Sequence, residues 1–293
     1  MPKRRWVVAL ADTHAGHKLG LLNPDTVLYD EDEKGDLVPW TPQLSKFQDY
    51  LWPLYQKTIE KVKTLIGDDE AIVIHDGDAT QGDRYPQHLV STRMSDQIII
   101  AINNLKLWLD IPNVKVMRIV KGTGSHTFDE GASEILITEQ LKAAYPECDI
   151  TCPYHGLMDV DGYTIDYAHH GPGPGIRDWT NGNMVRLYLK DLIAREWKAG
   201  RYPPHLTLRA HFHTWVWETV RETLRGRDCR FDAVVLPSWC GLGEHGAKAT
   251  KSQSTVINGL AVFEIVNGQL RTVHPFKETL DIRTKERVGT GAQ

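Results

Sequence analysis

Cysteine is scarce in this chain of 293 residues, which contains four of them. Cys148, Cys152, Cys229 and Cys240 are scattered, and none belongs to a C-x-x-C pair. The sequence therefore excludes a thioredoxin-like redox motif and a zinc knuckle. Because no signal peptide is visible either, we expect the thiols to remain reduced in a cytoplasmic protein.

Long apolar runs are also missing. The run near the N-terminus, residues 6–11, is shorter than the apolar core of a signal peptide and is followed directly by Asp12. No stretch of the sequence approaches the ~20 apolar residues of a membrane-spanning helix. We therefore expect a protein without a membrane partner.

A surplus of basic residues is absent as well. There are 34 Lys and Arg against 38 Asp and Glu, which gives a formal charge of −4. This balance argues against a protein that tracks along nucleic acid without regard to its sequence. No G-x-S-x-G motif surrounds any serine, which argues against a serine hydrolase.

Histidine, in contrast, is abundant, with 13 residues. The ratio of histidine to cysteine favours a metal site built from nitrogen and oxygen ligands over a thiolate site. The hydrophobic share of 41% and the charged share of 25% are those of an ordinary globular protein. The composition thus predicts a globular protein whose histidines are candidate metal ligands.

Clusters of Asp and His follow the predicted strands. Five near-continuous apolar runs are typical of strands that are buried on both faces, and each ends in such a cluster. The runs are residues 6–11, 71–74, 114–120, 163–168 and 206–210. Helical patterns cover about 47–65, 94–109, 135–144 and 185–197. Because the carboxyl ends of strands in an α/β sheet face one crevice, we expect the clusters to meet there.

Two of the clusters contain a pair of polar residues separated by one position. Asp12 and His14 form the first pair, and His211 and His213 form the second. Side chains alternate along an extended chain, so both members of a pair project to the same side. Two such pairs at strand ends are difficult to explain by packing alone, and they predict ligands.

In chain order, the clusters resemble the signature of the calcineurin-like metallophosphoesterase superfamily, which reads D-x-H, G-D, G-N-H, H and H-x-H. The matching motifs are Asp12-Thr13-His14, Gly77-Asp78, Gly124-Ser125-His126, His170-Gly171 and His211-Phe212-His213. The resemblance implies an α/β fold, the four-layer α/β/β/α metallophosphoesterase sandwich, with residues 1–293 as one domain. We expect a lid-like insertion after the first strand, with a hairpin at 19–42, and a C-terminal tail at 277–293.

The resemblance also implies two divalent metal ions, with manganese as first choice and zinc, iron, nickel or magnesium as the other candidates. When bound, such ions lower the pKa of a water and supply the hydroxide that attacks phosphorus in line. His126 is implied as the catalytic residue, a donor to the leaving oxygen. The implied ligands are Asp12, His14, Asp78 and His213 for one ion, and the bridging Asp78 with Ser125, His170 and His211 for the other.

The chain departs from the signature in the G-N-H motif. Ser125 stands where the superfamily has Asn, and a serine hydroxyl is a weaker ligand. Three alternatives remain open: Ser125 coordinates weakly, a water replaces it, or Thr123 contributes. In addition, Gln81 stands where the protein phosphatases of the superfamily have an acid followed by Arg, which argues against that branch.

The adjacent residues His169 and His170 leave a further ambiguity. We assign His170 as the ligand because it precedes Gly171, as in the signature, and His169 as a supporting or substrate-binding residue. Arg177, on the Pro- and Gly-rich stretch after His170, and Arg84 are the other candidate substrate contacts.

These features predict a metal-dependent phosphoester hydrolase, and specifically a phosphodiesterase, with nucleases as one class. The substrate would be a phosphoester, with nucleotides and nucleic acids as candidates, and the oligomeric state stays open. One alternative is a phosphomonoesterase that acts on a small or protein substrate. The other is a non-catalytic protein that binds phosphate or nucleic acid and has a degenerate second metal site.

Overall fold

The computed structural model describes residues 3–129, 131–173, 175, 180–243, 248, 250 and 252–286. Within these ranges the chain forms thirteen β-strands and four α-helices. The strands are β1 (Arg4–Leu10), β2 (Leu28–Glu31), β3 (Leu37–Trp40), β4 (Ala71–His75), β5 (Val114–Ile119), β6 (Asp149–Thr151), β7 (Gly156–Val160), β8 (Tyr163–Tyr167), β9 (Leu206–Arg209), β10 (Val216–Leu224), β11 (Arg227–Val235), β12 (Thr255–Val266) and β13 (Gln269–Asp281). The helices are α1 (Lys46–Ile66), α2 (Met94–Leu109), α3 (Ala132–Ala144) and α4 (Asn183–Lys198).

Most of the strands form two large sheets. The first sheet has the order β13-β12-β1-β4-β5-β6, in which β1, β4, β5 and β6 are parallel and β12 and β13 form an antiparallel edge. The second has the order β10-β11-β9-β8-β7, with β8, β9 and β11 parallel. Strands β1, β4 and β5 therefore end at one edge of the first sheet, and β8 and β9 at one edge of the second.

Three apolar clusters lie between the layers of helices and sheets and hold those layers together. The first joins α1, α2 and α3 to one face of the first sheet, and the second lies between the two sheets. The third joins α4 to the outer face of the second sheet. This arrangement confirms the predicted α/β/β/α layers.

Strand β1 shows why its sequence is apolar without interruption. Val8 and Leu10 belong to the cluster on the helical side, whereas Val7 and Ala9 belong to the cluster between the sheets. All four are fully buried. A strand with one layer on each face has no polar side, so its sequence does not alternate.

The predicted helices and strands agree with the structure except in detail. Helix α2 begins after Arg93, which makes no side-chain capping bond, and the Ser91 hydroxyl just before it donates to Asp96 at 2.6 Å. Strand β13 continues to Asp281, so the expectation of a tail from 277 is wrong for its first residues. This strand pairs with β12 along its whole length, which accounts for the longer ordered segment.

The predicted hairpin at 19–42 is present as the antiparallel pair β2 and β3. Its first strand is tied to the start of α2 by Arg93, which donates to the Tyr29 carbonyl at 2.8 Å and pairs with Asp30 at 2.6 Å. Its role as a lid stays a prediction. Among the described residues, no helix has both the length and the apolar character that a membrane span requires.

Candidate metal centre

The loops after β1 and β4 lie side by side, held by backbone hydrogen bonds. The Asp12 N–H donates to the Gly77 carbonyl at 3.0 Å, and the His14 N–H donates to the Asp78 carbonyl at 3.1 Å. The loop after β5 joins them through Gly122, where any Cβ atom would collide with Asp78. This glycine is therefore required for the close approach of the third loop.

Five of the predicted ligands have a left-handed backbone. Asp12, His14, Asp78, His211 and His213 have φ angles of 53°, 44°, 52°, 72° and 50°. Non-glycine residues adopt this region at a cost of about 1–3 kcal/mol each, and such residues concentrate at functional sites. The concentration of five of them at the ends of β1, β4 and β9 therefore supports a site at this edge.

Asp12, His14 and His213 form a compact group, named here the first triad. Asp12 Oδ1 lies 3.2 Å from His213 Nε2 and 3.6 Å from His14 Nε2. The two histidine Nε2 atoms are 3.0 Å apart. Two nitrogen ligands that lie ~2.1 Å from one ion at a right angle would be ~3.0 Å apart, so the triad has the spacing of metal ligands.

His169, His170 and His211 form the second triad, whose ring nitrogens also lie close together. Asp78 stands between the triads: its Oδ2 lies 3.0 Å from His169 Nε2 and 4.0 Å from His211 Nδ1. His169 Nε2 is also 4.0 Å from Asp12 Oδ1. The two triads are therefore contiguous, with Asp78 and His169 at their junction.

The residues present fit metal ions, because their buried donor atoms face one another. Asp12 Oδ1 and His169 Nε2 are both buried, and the side chains close to them are other candidate ligands: His213 and His14 for Asp12 Oδ1, and Asp78 for His169 Nε2. Carboxylate oxygen and imidazole nitrogen are the ligands that manganese, zinc and iron accept. One group around Asp12 and another around His211 thus offer places for two ions.

Charge favours the ligand forms of these residues. Burial lowers the pKa of His14 to about 4, so its imidazole is neutral at neutral pH. Burial by itself would raise the pKa of Asp12, but His213 and His14 more than offset it and hold that pKa well below its usual value. For Asp78, the charge and hydrogen bond of His169 likewise outweigh burial and lower the pKa.

The same interaction acts on His169 in the opposite direction. Burial lowers the pKa of His169, but the charge and hydrogen bond of Asp78 outweigh it and raise the pKa to about 10. A proton therefore occupies this ring next to the Asp78 carboxylate when no cation does. An ion bound at His169 would release that proton.

His126 lies beside the first triad. Its ring meets that of His14 edge-on, with centroids 4.9 Å apart. Its Nδ1 lies 2.8 Å from the Gln81 carbonyl, which can only accept, and 3.2 Å from the Gln81 side-chain Nε2, which can only donate. The shorter contact favours the proton on Nδ1, which leaves Nε2 without one in the neutral ring. No sequence pattern predicts the carbonyl contact, because every residue has a carbonyl.

Thr123 has the contacts that the sequence analysis expected of Ser125. The Thr123 hydroxyl lies 3.1 Å from His211 Nδ1, 3.2 Å from Asp78 Oδ2 and 3.3 Å from His170 Nε2. Its N–H also donates to Asp78 Oδ1 at 2.6 Å. Among the described residues, the Ser125 hydroxyl makes no hydrogen bond. The position nearest the second triad thus belongs to Thr123.

The candidate substrate contacts differ in their placement. His169 is 1% exposed and donates from Nδ1 to the Asp76 carbonyl at 2.6 Å. A ring so deeply buried cannot meet a substrate from solvent, so its assignment as a substrate contact is corrected to a place among the candidate ligands. Arg84 is exposed in the loop after Gly82, and Arg177 lies outside the described residues.

Two buried carboxyl groups near the site were missed by the sequence analysis. Asp76 has no hydrogen-bond partner for its carboxylate among the described residues, and burial raises its pKa to about 7. Glu134 accepts from the Ser133 hydroxyl at 2.9 Å, and that hydroxyl lies 2.7 Å from the Thr80 hydroxyl. Thr80 in turn donates to the His126 carbonyl at 2.7 Å, so this chain supports the loop of His126.

Comparison with known proteins gives no evidence about the activity of this chain. No protein-family model and no curated protein matches the chain. Among solved structures, the sulfate thiohydrolase SoxB of Thermus thermophilus, in complex with glycerol, matches 94% of this chain and 56% of its own length, with 10% identity and a TM-score of 0.38. A likeness of this degree carries no argument about activity. The evidence for the α/β layers and for the two triads is the structure of this chain itself.

Proposed function

We propose that this chain is a metal-dependent phosphodiesterase, as the resemblance of its motifs implies. The observation that carries the proposal is the pair of contiguous triads joined at Asp78, whose buried ligand atoms face one another. When bound, two divalent ions supply a water of lowered pKa and positive charge next to the phosphorus. The residues of the chain then hold the ions, orient the substrate and protonate the leaving oxygen.

In this proposal Asp78 is the ligand common to both sides, and Asp12, His14 and His213 complete the first. On the second side we assign His169, His170 and His211. The 3.0 Å separation of His169 Nε2 from Asp78 Oδ2 supports the inclusion of His169. Its Nδ1–H is held by the Asp76 carbonyl, an arrangement typical of metal-ligating histidines.

We assign to Thr123 the neutral oxygen position that the superfamily gives to Asn. Its three contacts to Asp78, His170 and His211 support this. Of the alternatives for the second ion, a contribution from Thr123 is therefore preferred over coordination by Ser125.

His126 is proposed to act on the leaving group. A ring held through Nδ1 by the Gln81 carbonyl presents Nε2, and in its protonated form that atom donates to the oxygen that departs from phosphorus. His126 also forms a possible metal-binding group with His14 and Asp78, so the metal content of His126→Ala distinguishes a proton donor from a ligand.

We prefer a diester over a monoester substrate because the chain departs from the protein phosphatases at Gln81. A hydroxide supplied by bound metal ions also attacks phosphorus without needing the second negative charge of a monoester, so a diester suits this chemistry.

The test compares the hydrolysis of bis-p-nitrophenyl phosphate and p-nitrophenyl phosphate with manganese, nickel, zinc and magnesium. We expect faster turnover of the diester, its loss with a chelator, and its loss in His126→Ala while elemental analysis still finds metal. Faster turnover of the monoester would make the protein a phosphomonoesterase. No turnover with any of the metals would favour the non-catalytic binding protein.

A further inference from the structure

A cavity of about 230 Å³ adjoins the second triad. It lies between the carboxyl ends of β8 and β9, helix α4 and the segments that follow β5 and β6. His169 and Ala168 form part of its wall, and the other residues that line it are Lys121, Tyr154, His155, His170, Tyr188 and Arg209. Pockets for drug-sized ligands measure roughly 300–1,000 Å³, so this one suits a small group.

Arg209 gives the cavity a buried cation. Its side chain is 4% exposed, and Nη2 lies 2.5 Å from Asp166 Oδ1 and donates to the Tyr188 hydroxyl at 2.7 Å. Among the described residues, its Nε is buried without a hydrogen-bond partner. A Cβ atom on Gly171 would collide with the stem of Arg209, so the glycine after His170 makes room for this side chain.

Two cations, Lys121 and Arg209, and no acidic side chain line the cavity within the described part of the chain. The buried carboxyl groups that act on Arg209 are those of Asp166 and Asp76. Asp166 is shared by Arg209 and by His155, whose Nε2 lies 2.8 Å from its Oδ2. Lys121 is half-buried and forms no ion pair within the described part of the chain. The Lys121 ammonium group is thus left without an acidic partner in a cavity that Arg209 also lines, and groups of both kinds donate charge-assisted hydrogen bonds to anions.

We propose that this cavity, the Lys121 cavity, binds a second phosphate group of the substrate. The proposal rests on the proposed function, because His169 and His170 belong both to its wall and to the second triad. A scissile phosphoester at the triads places a neighbouring phosphate at Lys121 and Arg209. The preferred substrates are therefore phosphodiesters that carry a further phosphate, such as phosphorylated nucleotides.

A binding experiment tests the cavity without turnover. With a chelator present, inorganic phosphate has no metal ion to bind, and Asp12 and Asp78 repel it from the triads. We expect calorimetry on the full chain to detect phosphate binding that Lys121→Gln weakens at least about tenfold. Lys121→Arg, which keeps the charge, is expected to retain it.

The matched control is Lys115→Gln, which removes the same charge from an exposed position on β5. Phosphate binding is expected to be unchanged in this variant. Equal affinity in the wild type and Lys121→Gln, or no binding by the wild type up to about 10 mM phosphate, would overturn the proposal.

A kinetic experiment uses two substrates that differ by one phosphate. They are the p-nitrophenyl ester of thymidine 5′-phosphate and the same ester with a 3′-phosphate. With the manganese-loaded wild type, we expect the 3′-phosphate to lower KM about tenfold, and Lys121→Gln to lose this difference. Equal KM values in the wild type would overturn the second-phosphate site. Hydrolysis of neither ester would instead overturn the diesterase proposal, and the calorimetric result would still decide whether the cavity binds phosphate.

Discussion

The two triads differ in how deeply the fold buries their side chains. In the first triad, Asp12 and His14 are buried and only His213 is partly open to solvent. In the second, only His169 is buried, whereas His211 is half-buried and His170 is exposed. Side chains enclosed by packing have few rotamers and are held in place before an ion arrives. We therefore expect the first triad to bind its ion more tightly than the second.

Asp78 is the residue on which this comparison depends most, because both triads meet at its carboxylate. Asp78→Asn is expected to remove both ions and to lower diester turnover by about a thousandfold or more, since an amide cannot neutralise two cations. Elemental analysis and turnover measure the two effects. Asp83→Asn, an exposed position in the following loop, is the control. Full metal content in Asp78→Asn would refute its bridging role.

The two adjacent histidines of the second triad, His169 and His170, differ in burial, and we expect their substitutions to have different effects. His169→Gln is expected to lower the metal content from two ions to one, because the Nε2 atom at 3.0 Å from Asp78 Oδ2 is lost. In His170→Gln, whose ring is exposed, we expect both ions at saturation and about tenfold weaker binding of the second. Metal titration followed by calorimetry distinguishes them. Two ions in His169→Gln and one in His170→Gln would restore the assignment made from the sequence.

Removal of the Thr123 hydroxyl, the neutral oxygen beside the second triad, is expected to have a smaller effect. Thr123→Val keeps the shape and the N–H bond to Asp78 but removes the hydroxyl that lies 3.1 Å from His211. We expect about tenfold weaker binding of the second ion and an unchanged first ion. Ser125→Ala is the matched variant, and it is expected to change neither. A loss in Ser125→Ala alone would return the position to the superfamily pattern.

The first triad was predictable from the sequence, because each of its residues belongs to a pair that follows an apolar strand: Asp12 is paired with His14, and His213 with His211. Part of the second triad was not. His169 and His170 follow the end of β8, where the alternation of the strand no longer decides which side chain faces inward. Burial within the fold decided it, and burial depends on contacts with distant parts of the chain.

Thr123 could have been found by a different signal. Asp12 and Asp78 follow the ends of β1 and β4 by two and three residues, whereas Thr123 follows β5 by four and Ser125 by six. Distance from the strand end therefore pointed to Thr123, but adjacency to His126 in the family signature favoured Ser125. The contact of the Gln81 carbonyl with His126 had no such signal, because every residue has a backbone carbonyl.

The last prediction compares two buried carboxyl groups, Asp78 and Glu134. Histidines lower the pKa of Asp78. No cation within the described part of the chain acts in this way on Glu134, and burial raises its pKa from 4.5 to about 7. Between these values the folded state binds more protons than the unfolded state, so stability falls as pH rises. Glu134→Gln does not titrate and is expected to gain up to about 3 kcal/mol over the wild type between pH 4.5 and pH 8.

Urea unfolding of the chelated protein across this pH range measures that gain. Glu139→Gln, an exposed position on the same helix, is expected to show no comparable trend. A gain that is constant with pH would mean that Glu134 is ionised throughout and that a cation compensates it. In that case the two carboxylates would be alike, and the contrast between a carboxylate poised to bind ions and one that only supports the loop of His126 would fail.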